Sequence, residues 1–122
     1  TRLVSHVAER RKSENSKPVR EAQKYINAHY ATPISLEGIS QRAGFNPTYF
    51  SLLFKKETGQ NFLEYVTDVR IKEAKRLLSD PGKTIADVAA DVGYSDVKHF
   101  SKLFARITGI HPSKYRKLYY YN

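Results

Sequence analysis

Apolar residues in this chain recur at helical rather than strand spacing. After Pro18, which suits the first turn of a helix, Ala22, Tyr25, Ile26 and His29-Tyr30 form an i, i+3, i+4, i+7 stripe that Thr32-Pro33 stops. Ser35 is a natural N-cap for a second helix with Leu36, Ile39 and Ala43 inward and Gly44 as its left-handed end. Asn46-Pro47, as N-cap and first residue, opens a third helix with Phe50, Leu53 and Phe54 inward, and Gly59 closes it. A long helix is predicted over 61–79, built on Phe62, Tyr65, Val66, Val69, Ala74, Leu77 and Leu78, and spanning about 28 Å. Asp80-Pro81-Gly82 breaks the chain. Thr84 then caps a helix with Ile85, Val88, Ala89 and Val92 inward. Ser95 or Asp96 opens the next, with Phe100, Leu103, Phe104 and Ile107 inward and Gly109 at its end. Pro112-Ser113 starts a closing helix that carries Tyr115 and ends in Tyr119-Tyr120-Tyr121. No period-two run of useful length interrupts this pattern, so the expected fold class is all-α.

Residues 1–17 stand apart. Leu3, Val4, Val7 and Ala8 share one helical face, whereas Glu9 to Lys17 is polar throughout. This segment reads as a helix tail grading into a flexible linker, which with the opening Thr1 suggests a fragment of a longer protein.

The pattern also repeats. Phe50, Ser51, Leu53, Phe54, Thr58 and Gly59 return about fifty residues later as Phe100, Ser101, Leu103, Phe104, Thr108 and Gly109. Upstream, Ser35-Leu36 answers to Thr84-Ile85, Ile39 to Val88, and Ala43-Gly44-Phe45 to Val92-Gly93-Tyr94. The spacing between Gly and Phe changes by one residue, so the copies differ in a turn rather than in a helix. Each copy is a short helix, a glycine turn and a longer helix, the form of a helix-turn-helix whose second helix enters the DNA major groove.

Charge supports that reading. The net charge of +9 over 122 residues favours an anionic partner. Absence of cysteine removes disulfides, thiolate metal sites and cysteine nucleophiles, and fits a reducing cytoplasm. No apolar run is long enough to span a membrane.

The stripes account for the core, so information about partners lies on the opposite faces. In the first copy Thr48, Ser51, Leu52 and Lys55 fall at i, i+3, i+4, i+7. In the second, Lys98, Ser101, Lys102 and Ala105 take the same face, with Asp96 and Val97 at its N-terminal edge. Placed twice after a glycine turn, these residues are candidates for contacts to base edges and phosphates.

From about Val19 to Arg116 the chain resembles the DNA-binding domain of the AraC/XylS family of bacterial transcription regulators. The similarity is densest over Ile85, Val88-Ala89, Val92-Gly93-Tyr94, Asp96, Phe100-Ser101, Phe104, Gly109, Pro112 and Tyr115-Arg116. Phe54-Lys55-Lys56-Glu57-Thr58-Gly59, Phe62, Tyr65, Arg70-Ile71, Ala74 and Leu77-Leu78 match its first half and linker helix. The resemblance implies seven helices, with two helix-turn-helix subdomains (18–60 and 80–122) joined by the linker helix 61–79. It implies that the third and sixth helices enter successive major grooves of double-stranded DNA. A rigid spacer near 28 Å suits heads about one DNA turn, some 34 Å, apart.

In its wording around Tyr25-Ile26, Ile34-Ser35-Leu36 and Gly93-Tyr94-Ser95-Asp96, the chain is most similar to the C-terminal domains of AraC-type two-component response regulators. That similarity implies a phosphoacceptor receiver upstream, with a ligand-sensing cupin-like domain or a membrane sensor as alternatives. RNA polymerase is a candidate partner, and any dimerisation is expected through the missing N-terminal domain.

Two positions depart from the family pattern. Many relatives carry Arg where this chain has Leu52, and Lys or Arg where it has Ala105. Leu52 cannot donate to guanine but can pack on a thymine methyl. Arg70, in mid-helix between subdomains, is expected to be a structural ion-pair partner rather than a base reader.

Rival classes find less support. His6, His29, His99 and His111 are scattered, with none at metal-helix spacing, and no Gly-rich phosphate loop occurs. The family's enzymatic fusion, methyl-acceptor DNA repair, requires a cysteine. No enzyme activity and no cofactor are therefore expected. The alternative of a non-specific RNA or anionic-surface binder wants aromatics on an open sheet or a helix with a broad apolar face, and the pattern offers neither.

Overall fold

The computed structural model describes residues 17–121, all of whose regular elements are helices. They are α1 (Lys17–His29), α2 (Leu36–Ala43), α3 (Pro47–Thr58), α4 (Phe62–Leu77), α5 (Ile85–Asp91), α6 (Val97–Thr108) and α7 (Pro112–Tyr120). The expected linker over residues 1–17 lies outside the described residues except for Lys17, which begins α1.

Local chemistry sets the helix boundaries. Ser35 accepts from the Gly38 amide at 3.0 Å, and Gly44 ends α2 at φ 79°. Asn46 opens α3 with Pro47 in its first turn, and Gly59 closes it at φ 80°. Thr84 and Asp87 form a reciprocal capping box, each side chain accepting from the other's amide, at 3.0 and 2.9 Å. Asn61 and Glu64 do the same at the start of α4, at 2.8 and 3.4 Å.

The chain forms two compact units whose boundary falls inside α4, between Tyr65 and Val66, with the short stretch Tyr30–Pro33 belonging to the second. In the first unit Val19, Ala22 and Ile26 of α1, Ile39 of α2, Phe50 and Phe54 of α3 and Phe62 of α4 are buried. Aromatic rings run through this core: Phe50 lies 6.1 Å from Phe54, which meets Phe62 at 5.9 Å and the edge of Tyr65 at 5.4 Å. In the second unit Ile71, Ala74, Leu78, Val88, Ala89, Val92, Phe100 and Phe104 form the core, with Tyr30, Leu77, Ile85, Tyr94 and Tyr115 packed against it. Each fully buried Phe removes enough apolar area from water to contribute about 1.5–3 kcal/mol.

Two arginines tie loops to helices in the second unit. Arg70 Nε donates to Tyr30 O at 2.7 Å and its Nη2 to Thr32 O at 3.0 Å. Arg116 donates to Leu78 O at 2.9 Å, Asp80 O at 3.3 Å and Lys83 O at 2.6 Å. In both cases a guanidinium binds backbone carbonyls of the stretch that follows a helix.

The sequence expectations need correcting at four places. The helix expected over 61–79 is Phe62–Leu77, 16 residues and about 24 Å long. Its last turn tightens into three-residue hydrogen bonds, Ser79 to Arg76 O at 3.3 Å and Asp80 to Leu77 O at 3.1 Å, leaving Leu78 buried beyond the helix. Ile107, expected inward, continues the stripe of Phe100, Leu103 and Phe104 into the last turn of α6, where it is 42% exposed. Tyr30, expected in the α1 stripe, packs instead in the second unit's core. Arg70 is structural, but its partners are backbone carbonyls and the Tyr94 ring rather than a carboxylate.

Candidate nucleic-acid interface

The two helix-turn-helix units are built alike down to individual hydrogen bonds. Asn46 Oδ1 accepts from the Thr48 amide at 2.9 Å and the Tyr49 amide at 3.3 Å. Asp96 Oδ1 accepts from the Lys98 amide at 2.9 Å and the His99 amide at 3.3 Å. At the far ends, Thr58 Oγ1 donates to Phe54 O at 2.8 Å and accepts from the Gln60 amide at 3.1 Å. Thr108 Oγ1 repeats this with Phe104 O at 2.8 Å and the Ile110 amide at 3.3 Å. Equivalent side-chain hydrogen bonds therefore start and stop both longer helices, fixing which face each presents.

On α3, Phe50 and Phe54 are fully buried, while Thr48 and Lys55 are exposed, Ser51 is half-buried and Leu52 is 67% exposed. On α6, Phe100 and Phe104 are fully buried and Leu103 is buried. Lys98 and Lys102 are exposed, Val97 lies at the exposed edge and Ser101 is half-buried. The structure thus gathers Thr48, Ser51, Leu52 and Lys55 on one outward face, and Val97, Lys98, Ser101 and Lys102 on another. Ala105, which continues the second face, is half-buried and ends in a methyl group.

Asp96 differs from the others. One of its carboxylate oxygens already accepts two backbone amides at the α6 N-terminus, so holding the helix start is its first role. Capping also places a negative group where the helix dipole favours it.

Tyr49 and His99 were not singled out by sequence, yet they occupy equivalent outward places in the first turns of α3 and α6. Tyr49 is 54% exposed with its ring 5.4 Å from Phe45, and exposed His99 meets Tyr94 edge-on at 5.8 Å. Their recurrence at the same offset as the phenylalanines was the available signal. Arg106 adds a cation to the last turn of α6, as Lys55 and Lys56 do for α3.

Each face can do two things. Its ammonium groups can neutralise phosphates, and its hydroxyls and small apolar groups can meet base edges in a groove wide enough for a helix. Among the described residues, no group of three or more His, Asp or Glu side chains is placed to hold a metal ion, and no helix is long and apolar enough to cross a membrane.

A family model described as a helix-turn-helix domain matches residues 39–118. The Msm operon regulatory protein of Streptococcus mutans is 32% identical over 114 residues, 93% of this chain and 41% of that protein. The C-terminal domain of AraT, a response regulator from Geobacillus stearothermophilus, superposes with a TM-score of 0.81 at 32% identity, covering 84% of this chain and 86% of that one. The DNA-binding domain of AdpA, a global transcriptional factor solved in complex with a target DNA, gives a TM-score of 0.79 at 25% identity, covering 84% and 92%. The chain spans about half the length or less of the curated relatives it matches, 47% of one and 41% of another. The matched helix-turn-helix pattern, the all-α fold and these relatives agree, and the chain belongs to the AraC-type helix-turn-helix family as a DNA-binding module of a transcription regulator.

Proposed function

We propose that the chain reads duplex DNA with two heads, α3 and α6 each laying its outward face in a separate major groove. The observation that carries this reading is the duplicated helix start. The caps Asn46 and Asp96 hold α3 and α6 in equivalent poses, so Thr48, Ser51, Leu52 and Lys55 on one and Val97, Lys98, Ser101 and Lys102 on the other face away from their cores. Lys55, Lys98 and Lys102 grip phosphates, while Thr48, Ser51, Val97 and Ser101 discriminate bases through short hydrogen bonds and methyl contacts. Asp96 contributes by setting the pose of α6.

A salt titration tests the reading. If each head neutralises about three phosphates, log K against log[salt] for the preferred duplex has a slope near −5. A slope flatter than about −2 on every duplex, or single-stranded RNA competing equally with duplex DNA at fixed salt, would instead support a non-specific anionic-surface binder.

In the whole protein, the module follows a regulatory domain that senses the signal and carries any dimerisation. The similarity to AraT supports a two-component receiver in that place. Action on DNA sets its location as the cytoplasm, and RNA polymerase is the partner through which bound DNA would become a transcriptional response. No catalytic role is assigned to the module.

A further inference from the structure

The outward faces of α3 and α6 match in register but not in chemistry. Thr48, Ser51, Leu52 and Lys55 stand where α6 carries Lys98, Ser101, Lys102 and Ala105. The central groove-facing position is therefore an ammonium on one head and a bare isobutyl group on the other. Leu52 is 67% exposed between fully buried Phe50 and Phe54, so it takes no part in the first unit's core.

An exposed leucine is unremarkable on an ordinary surface. At the centre of a face pressed into a major groove it has few choices. The edges of guanine, cytosine and adenine present donors and acceptors, and an isobutyl group laid against them displaces water without replacing its hydrogen bonds. The thymine C5-methyl is the apolar group on the groove floor. Contact with it removes apolar surface on both sides and leaves no polar atom unpaired. Thr48 lies one turn N-terminal on the same face and brings a second methyl beside a hydroxyl.

Resting on the two-headed reading above, we propose that Leu52 is a specificity-determining residue that selects thymine by its C5-methyl. The first head thus recognises an apolar spot in its half-site, whereas Lys102 at the matching position of α6 grips phosphate and selects no such spot. The chain then requires an asymmetric site and binds it in one direction.

The test selects a duplex from a random pool with the unaltered chain, then replaces its thymines one at a time by deoxyuridine, which removes only the methyl. At one thymine, affinity should fall about fourfold, the value of one buried methyl-sized group. Leu52→Ala, at an exposed position that leaves the core intact, should bind the thymine and deoxyuridine duplexes equally. Indifference of the unaltered chain to every deoxyuridine overturns the proposal, as does Leu52→Ala retaining the sensitivity. Failure of the two-headed reading looks different: no duplex is enriched at all.

Discussion

The guanidinium of Arg70 lies 5.3 Å from the centre of the Tyr94 ring while its nitrogens bind the carbonyls of Tyr30 and Thr32. One side chain thereby ties the turn of the second helix-turn-helix to the stretch that follows α1. The neighbouring Gly93 makes this possible. It sits at φ 101°, and a Cβ added there would stand 3.2 Å from Ala31 O and 3.3 Å from both Ala31 Cα and Arg70 Cζ.

Gly93→Ala should therefore destabilise the second unit by more than the roughly 1–2 kcal/mol of left-handed backbone alone. Gly44→Ala supplies the comparison, since at φ 79° it meets nothing within 4 Å and carries only the backbone cost. Thermal melts in which both substitutions cost the same would show that close packing around Gly93 has no energetic weight.

Phe54 and Phe104 are each fully buried, and each receives a tyrosine edge, Tyr65 at 5.4 Å and Tyr115 at 5.3 Å. Phe54→Ala and Phe104→Ala should each destabilise their own unit by roughly 3–5 kcal/mol. Denaturant unfolding followed by helicity is the measurement, and midpoints unchanged by either substitution would contradict the assignment of these faces to the core.

Lys98 and Lys102 are exposed one turn apart on α6. An ammonium is a point charge without arginine's bidentate fork, so it adds more to affinity than to base choice. Lys102→Ala should weaken binding to all duplexes together and lower the salt slope by about one. If Lys98→Ala and Lys102→Ala combined leave affinity and slope unchanged in a folded chain, α6 has no part in binding.

Stability should fall at both ends of the pH range through different groups. Burial, then the neighbouring Tyr120 and Tyr119 phenols, raise the Tyr115 hydroxyl above its ordinary value. A hydrogen bond and ion pair with Asp91 at 2.6 Å raise the Lys83 ammonium. Both belong to the second unit, and their contributions are intact below the unfolded values, about pH 10. They disappear as pH climbs through the higher folded values. Asp87 behaves oppositely. The Thr84 amide, then the Thr84 hydroxyl, lower its carboxyl, so the capping box contributes above about pH 4 and is lost as pH falls through the lower folded value. Melting curves across pH for Tyr115→Phe and Asp87→Asn should lose part of the alkaline and acid dependence respectively. Profiles parallel to the unaltered chain would count against both roles.

Much of this protein follows from short stretches of sequence, because the forces concerned act within one or two helical turns. Ser35, Asn46, Thr84 and Asp96 cap amides two or three residues away, and Gly44, Gly59 and Gly109 end helices in left-handed backbone. The Phe50–Phe54 and Phe100–Phe104 pairs reveal their buried side by spacing alone, and with it the outward faces of Thr48, Leu52, Lys98 and Lys102.

Other features depend on partners distant in the chain, which periodicity cannot supply. The partners of Arg70 lie 38 and 40 residues away, and those of Arg116 lie 33 to 38 away, so only folding reveals that these guanidiniums serve carbonyls. Tyr30 sits at a position that suits the α1 stripe, but its packing against the second unit's core is decided by the course of the chain after His29. Ile107 is apolar and in line with its stripe, and only the extent of the core at the last turn of α6 leaves it exposed. Local sequence thus determined the helices and their faces, while tertiary packing decided which core each edge residue joins and which loops the arginines hold.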